Sequence, residues 1–186
     1  MWRRMVYRVI QFAHALTARA SHEEIAQAIE VLEPQAQRVF RQQSRQDRCH
    51  ALAVYRSLRD HGYSHPALFE AALLHDAGKS AAQLTPWHRA VIVALERLAP
   101  TVLTRLSRDA GTNGVASSGW RLPFVVHARH PELGARLAQQ AGCSALAVAL
   151  IRRHQDQAAH SVAAETEAET EEDRLLAALQ AADNAA

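Results

Sequence analysis

The stretch Ala71-Ala-Leu-Leu-His75-Asp76-Ala-Gly78-Lys79 runs from four apolar residues straight into an imidazole, a carboxylate, a glycine and a lysine. Pro66 sits where a first-turn proline belongs, so the run before His75 reads as a buried helix. Gly78 then ends or bends it. An unpaired buried carboxylate costs several kcal/mol, on the order of a small domain's stability. Asp76 therefore needs a partner, and a divalent metal would supply one.

Working outward, the same grammar of helix starts and stops recurs. Ser21-His-Glu-Glu24 resembles a capping box opening a helix that stops near Glu33-Pro34. A short helix follows Pro34, and Ser44-Arg-Gln-Asp47 opens another that carries His50 and ends at Gly62. Thr85-Pro86 starts a helix through Leu98, halted by Pro100, with a short one near 101–109. Residues 110–119 are a loop by composition. Pro131 opens the next helix, with His130 at or beside its cap, and Gly142 follows its end. Ser144 to His154 is the most apolar helix. A polar, acidic stretch reads as a surface loop from Gln155 to about Thr170, and Thr170-Glu-Glu-Asp173 caps a last helix ending at Asp183. With no credible strand, the expectation is an all-α, single helical bundle of about eight to ten helices. Residues 1–43 would be N-terminal helices packing on a body formed by 44–186. Within them, 2–19 read as an amphipathic helix bearing Met5, Val9, Phe12 and Leu16, docked on the body or, failing that, on an anionic membrane surface.

Composition narrows the function. The chain has 186 residues, 48% of them hydrophobic, which is enough for one real core. Its net charge of +2 hides an asymmetry: Glu165 to Asp173 hold six acids and no base, leaving +8 on the rest. A modestly basic body suits an anionic substrate, and nothing points to specific nucleic-acid recognition. Cys49 and Cys143 are too few for a disulfide framework and read as reduced thiols. No uncharged run spans a bilayer, and the start lacks a signal peptide's apolar core, so a cytoplasmic location is expected.

The polar residues on inner faces carry the chemistry. His154 extends the stripe Ala147, Leu150, Ile151 at helical spacing, and Asp183 extends Leu176 and Leu179. His50 lies one turn before Val54 and two before Leu58, at the edge of a buried face. Any one of these is ordinarily a hydrogen-bonded core residue. Several helices each delivering an inward imidazole or carboxylate is how helical domains build metal sites. His127, three residues before His130, is a candidate for a supporting contact or a substrate contact.

The order His50, His75-Asp76, His130, His154, Asp183 resembles the HD superfamily of metal-dependent phosphohydrolases. His75-Asp76-Ala-Gly78-Lys79 is similar to its His-Asp-x-Gly-Lys stretch, and His130-Pro-Glu-Leu-Gly134 to the His-Pro-Glu-x-Gly of the HD-GYP branch. Gln155-Asp156 follows His154 where that branch has His-Glu, and its Gly-Tyr-Pro loop is replaced by Ala158 to Thr170. The resemblance implies one metal on His50, His75, Asp76 and Asp183, and a second on His130 and His154 with Asp76 bridging. Imidazole and carboxylate ligands suit Mn²⁺, Fe²⁺, Co²⁺, Ni²⁺ or Zn²⁺, with Mg²⁺ admitted. The implied reaction is hydrolysis of a nucleotide or another small phosphate ester by a metal-activated hydroxide. Asp76 and Lys79 would be catalytic, with Lys79 and Arg153, and less directly Arg129, meeting phosphate. The alternatives are a non-catalytic metal-binding regulatory module and a di-iron oxygenase.

Overall fold

A computed structural model describes residues 22–82, 85–107, 119–156 and 170–186. The amphipathic helix expected at 2–19 and most of the two expected loops lie outside these residues. Nine α-helices and two 3₁₀ turns make up the described chain, with no strand among them. In chain order they are α1 (His22–Ala28), α2 (Pro34–Gln42), α3 (Arg45–Asp60), α4 (Pro66–Leu74), α5 (Pro86–Leu98), α6 (Pro100–Ser107), α7 (Leu122–Gln140), α8 (Ala145–Arg153) and α9 (Glu171–Ala185). The 3₁₀ turns are Ile29–Val31 and Ala77–Ala81.

The bundle is built around α4. This helix is apolar around its circumference apart from Glu70, and Ala67, Leu68, Ala71, Ala72, Leu73 and Leu74 are all buried. A helix with so little polar surface is buried. It packs against α2, α3, α8, α9 and the first 3₁₀ turn. Phe40, Leu52, Leu58, Leu150, Ile151 and Leu179 complete a core that draws on α2, α3, α8 and α9. Residues 22–42 thus share this core through Ile29, Leu32, Ala36 and Phe40.

Local signals set the ends. Ser44, Ser144 and Thr170 each accept the backbone N–H three residues on, as N-caps do. Gly62, at φ 83°, takes the left-handed turn after α3 that other residues resist. The α5–α6 pair lies against α7. It leaves Trp87, Val93, Leu98 and Val102 exposed.

One element differs from expectation. Pro131 does not open a helix: α7 begins at Leu122, with Pro123 in its first turn, and continues through Pro131 to Gln140. His130 is therefore a mid-helix residue and not a cap. An interior proline removes one helical hydrogen bond, which is why the sequence rule reads it as a boundary. Here the freed carbonyl, that of His127, accepts the Nδ1–H of His130 at 2.6 Å.

Candidate metal centre

The six residues singled out as ligands come together from five parts of the chain. His50 comes from α3, His75 from the end of α4, and Asp76 from the residue before the second 3₁₀ turn. His130 comes from α7, His154 from the end of α8 and Asp183 from α9. They form two adjoining groups, His50–His75–Asp183 and Asp76–His130–His154.

Close approach of two backbones brings Asp76 to α7. Gly78 lies so near that helix that a Cβ on it would sit 2.1 Å from the His130 carbonyl oxygen and 2.7 Å from the Gly134 nitrogen. A Cβ on Gly134 would in turn meet the Gly78 nitrogen at 3.2 Å. Glycine at 78 is what allows the 3₁₀ turn to seat on α7 at this depth, and a side chain at 134 would be a tight fit. Asp76 Oδ1 then stands 3.4 Å from His130 Nε2 and 4.0 Å from His154 Nε2.

The imidazoles share one arrangement. His75 Nδ1–H donates to the Ala72 carbonyl at 3.0 Å, and His154 Nδ1–H to that of Ile151 at 2.7 Å. His130 does the same to His127. A carbonyl only accepts, so in each neutral ring the proton sits on Nδ1 and Nε2 is left with its lone pair. All three Nε2 atoms face the carboxylates. His130 Nε2 and His154 Nε2 stand 3.3 Å apart, with Asp76 Oδ1 beside them. His75 Nε2 is buried without a hydrogen-bond partner, 3.5 Å from Asp183 Oδ1 and 3.6 Å from Asp76 Oδ2.

Such a convergence of acceptors calls for a cation at its centre. Donors bound to one ion at about 2.1 Å stand roughly 3–3.5 Å from each other. The separations around Asp76 Oδ1 fall close to that range. The buried Asp76–His130–His154 group can hold a metal ion. Two nitrogens and an oxygen are a transition-metal donor set, and the Nδ1–H···O=C bonds are the usual outer support for such ligands.

The electrostatics agree with the geometry. Burial would raise the Asp76 carboxyl, but Lys79, His75 and His130 hold it well below the usual carboxylate range. Asp183 is likewise depressed against the effect of burial, by the hydrogen bond from His50 and by His75 beside it. Burial, joined by the charges of His75 and His130, pushes His154 down to about 4, so its ring is neutral at physiological pH. Burial opposes charge on His75 too, yet the carboxylates of Asp76 and Asp183 outweigh it and raise its pKa. Both carboxylates are thus ready ligands.

His50 Nε2 and Asp183 Oδ1 are 2.7 Å apart and keep more than a quarter of their side-chain surface exposed, whereas Asp76, His75, His130 and His154 are almost fully covered. The centre therefore opens on the His50–Asp183 side. An open cleft lined by Leu103, Thr104, Ser107, His127, Ala128 and Gln155 adjoins the other group. His127 stacks on His130 there and meets Glu96 of α5 at 2.9 Å.

Lys79 and Arg153 make different partners. Lys79 Nζ donates to Asp76 Oδ2 at 2.6 Å, inside the centre. Arg153 turns to Glu172, Asp173 and Asp156, clamping the end of α8 to the start of α9.

Sequence reasoning passed over Gln180, whose amide donates to the carbonyls of His154 at 3.2 Å and Asp156 at 2.9 Å. It stands three residues before Asp183, on the same face of α9, a spacing that by itself marks no role. Gln43 was also missed; its buried amide donates to the Leu73 carbonyl at 2.9 Å, just before His75. Neither cysteine is in a disulfide. Burial, with the charge of Glu70, pushes the Cys143 thiol up to about 12, which makes it a poor nucleophile. No described helix is long and apolar enough to cross a membrane. Compared with family models, curated proteins and solved structures, the chain matches none.

Proposed function

We propose that the chain is a metal-dependent phosphohydrolase of the HD type, acting on a nucleotide or another small phosphate ester. One observation carries the reading: three buried imidazole Nε2 atoms and two ionised carboxylates converge, with Asp76 facing both groups through its two oxygens. A bound divalent ion, Mn²⁺, Fe²⁺, Co²⁺, Ni²⁺ or Zn²⁺, supplies water activation at neutral pH and neutralises phosphoryl charge. Asp76, His130 and His154 would hold one ion, and His50, His75 and Asp183 a second. The open His50–Asp183 side admits a phosphate, and the basic body favours its approach. Lys79 keeps Asp76 ionised and, with its side chain one-fifth exposed, can turn to a phosphoryl oxygen as negative charge grows there. The cleft beside His127 offers space and polar groups for the organic part of the ester.

The test is a screen of phosphomonoesters, nucleotides and cyclic dinucleotides with each ion in turn. The reading requires Mn²⁺- or Fe²⁺-dependent release of phosphate that falls by about 10³-fold or more in Asp76→Asn, which loses both a ligand and its charge. A folded, metal-loaded protein inactive on every ester would instead make it a regulatory metal-binding module. Oxygen consumption by an iron-loaded sample would favour oxygenase chemistry.

A further inference from the structure

Each buried imidazole donates Nδ1–H to the carbonyl three residues before it, but the carbonyls become available in different ways. Ala72 and Ile151 lie in the last turns of α4 and α8, where carbonyls have no N–H four residues ahead within the helix. His130 has no such helix end nearby, because α7 continues to Gln140. The carbonyl it uses, that of His127, would ordinarily take the N–H of residue 131. Residue 131 is proline and has none.

We infer that Pro131 is a positioning residue: by withholding one helical N–H it reserves the His127 carbonyl for His130 Nδ1–H, and so fixes the tautomer that turns the bare His130 Nε2 toward Asp76 and His154. Position 131 thereby does inside a helix what helix ends do for His75 and His154. It acts through His130 and does not itself touch the centre's donor atoms. The 2.6 Å separation of Nδ1 and carbonyl oxygen leaves the ring little freedom to flip. The same stretch of α7 also carries Gly134, which seats the 3₁₀ turn.

The inference rests on His130 being a metal ligand for its purpose, but its test reads the metal-free ring. Long-range proton–nitrogen correlations of ¹⁵N-histidine-labelled, metal-free protein at mildly alkaline pH assign each tautomer. Wild type should show His130 protonated at Nδ1 and bare at Nε2. In Pro131→Ala the restored N–H competes for the His127 carbonyl, and His130 should lose that single tautomer. The Zn²⁺ dissociation constant, read by competition with a chelating dye, should rise roughly 10–100-fold. An ester variant, with the α-hydroxy counterpart of alanine at position 131, lacks both the ring and the N–H. It should keep the wild-type tautomer, so the effect belongs to the missing N–H and not to the proline ring. The proposal is overturned by a wild-type His130 protonated at Nε2. It is equally overturned if folded Pro131→Ala keeps the wild-type pattern, or if the ester variant behaves like Pro131→Ala. If Pro131→Ala does not fold, the wild-type and ester spectra decide. Failure of wild type to bind Zn²⁺ would count against the metal centre and leave the tautomer result standing.

Discussion

Asp76 meets Lys79 and His75 through one carboxylate oxygen and His130 and His154 through the other, with almost no exposure to water. In the metal-free protein Lys79 is the compensating cation nearest to that charge, at 2.6 Å. Replacing it with a neutral side chain of similar length strands a buried carboxylate, a change that ordinarily costs about 3–5 kcal/mol. Lys79→Met should therefore unfold at lower urea when metal-free, and Mn²⁺ should recover much of the loss by restoring a cation beside Asp76. Equal deficits with and without Mn²⁺ would show that no ion compensates Asp76. Of the six candidate ligands, His50, His154 and Asp183 were legible as polar residues on or beside an apolar face, as His154 is after Ala147, Leu150 and Ile151; His75 and Asp76 follow an apolar run, and His130 entered through the resemblance. Gln180 and Gln43 were not legible in this way. A single amide bonded to a backbone carbonyl has no periodic signature, and its role depends on which chain ends lie opposite it.

At the scale of elements, most boundaries could be read because caps and first-turn prolines act locally. Ser44, Thr85 and Thr170 each open a helix in the expected place. Pro131 defeated the same logic, since its lost hydrogen bond is offset by a feature that boundary rules do not consider, the bond from the His130 ring to the His127 carbonyl. The seating of the 3₁₀ turn on α7 is another such feature. Gly78 reads locally as a helix breaker, yet its second role is to let two backbones touch. Gly78→Ala places a methyl carbon 2.1 Å from the His130 carbonyl oxygen, and backbone cannot yield as a flexible side chain can. The variant should lose about 3 kcal/mol or more of stability. It should also weaken metal binding, because the displaced turn carries Asp76 away from His130 and His154. Calorimetric unfolding and a metal titration of the same variant check both parts; unchanged stability would contradict the contact.

For the whole molecule, the all-α bundle was legible from composition and helix signals. That α4 is buried at its centre accords with a helix of so little polar surface. Which faces meet around it was not legible, because spacing along the chain sets each stripe but not its partner. The buried imidazoles give the metal-free protein a defined response to pH. His154, held at about 4 when folded against an ordinary 6.5, stays neutral while the unfolded chain takes up a proton. The unfolded state then binds more protons, so stability falls as pH drops from 6.5 toward 4, by up to about 3 kcal/mol. His127, also lowered by burial, adds to the same slope. His75 is raised, so its contribution is complete below 6.5 and fades only as pH rises through its folded value. Asp76 and Asp183 are depressed, and their contributions fade only below the ordinary carboxylate value of 3.8. Thermal midpoints of metal-free protein should therefore decline between pH 6.5 and 4, and His154→Gln should flatten the decline. The most direct measurement of the central claim is calorimetric titration of metal-free protein with Mn²⁺ at neutral pH. Saturable binding that disappears in Asp76→Asn is the predicted result. An absence of saturable binding, or binding that survives Asp76→Asn unchanged, would contradict it.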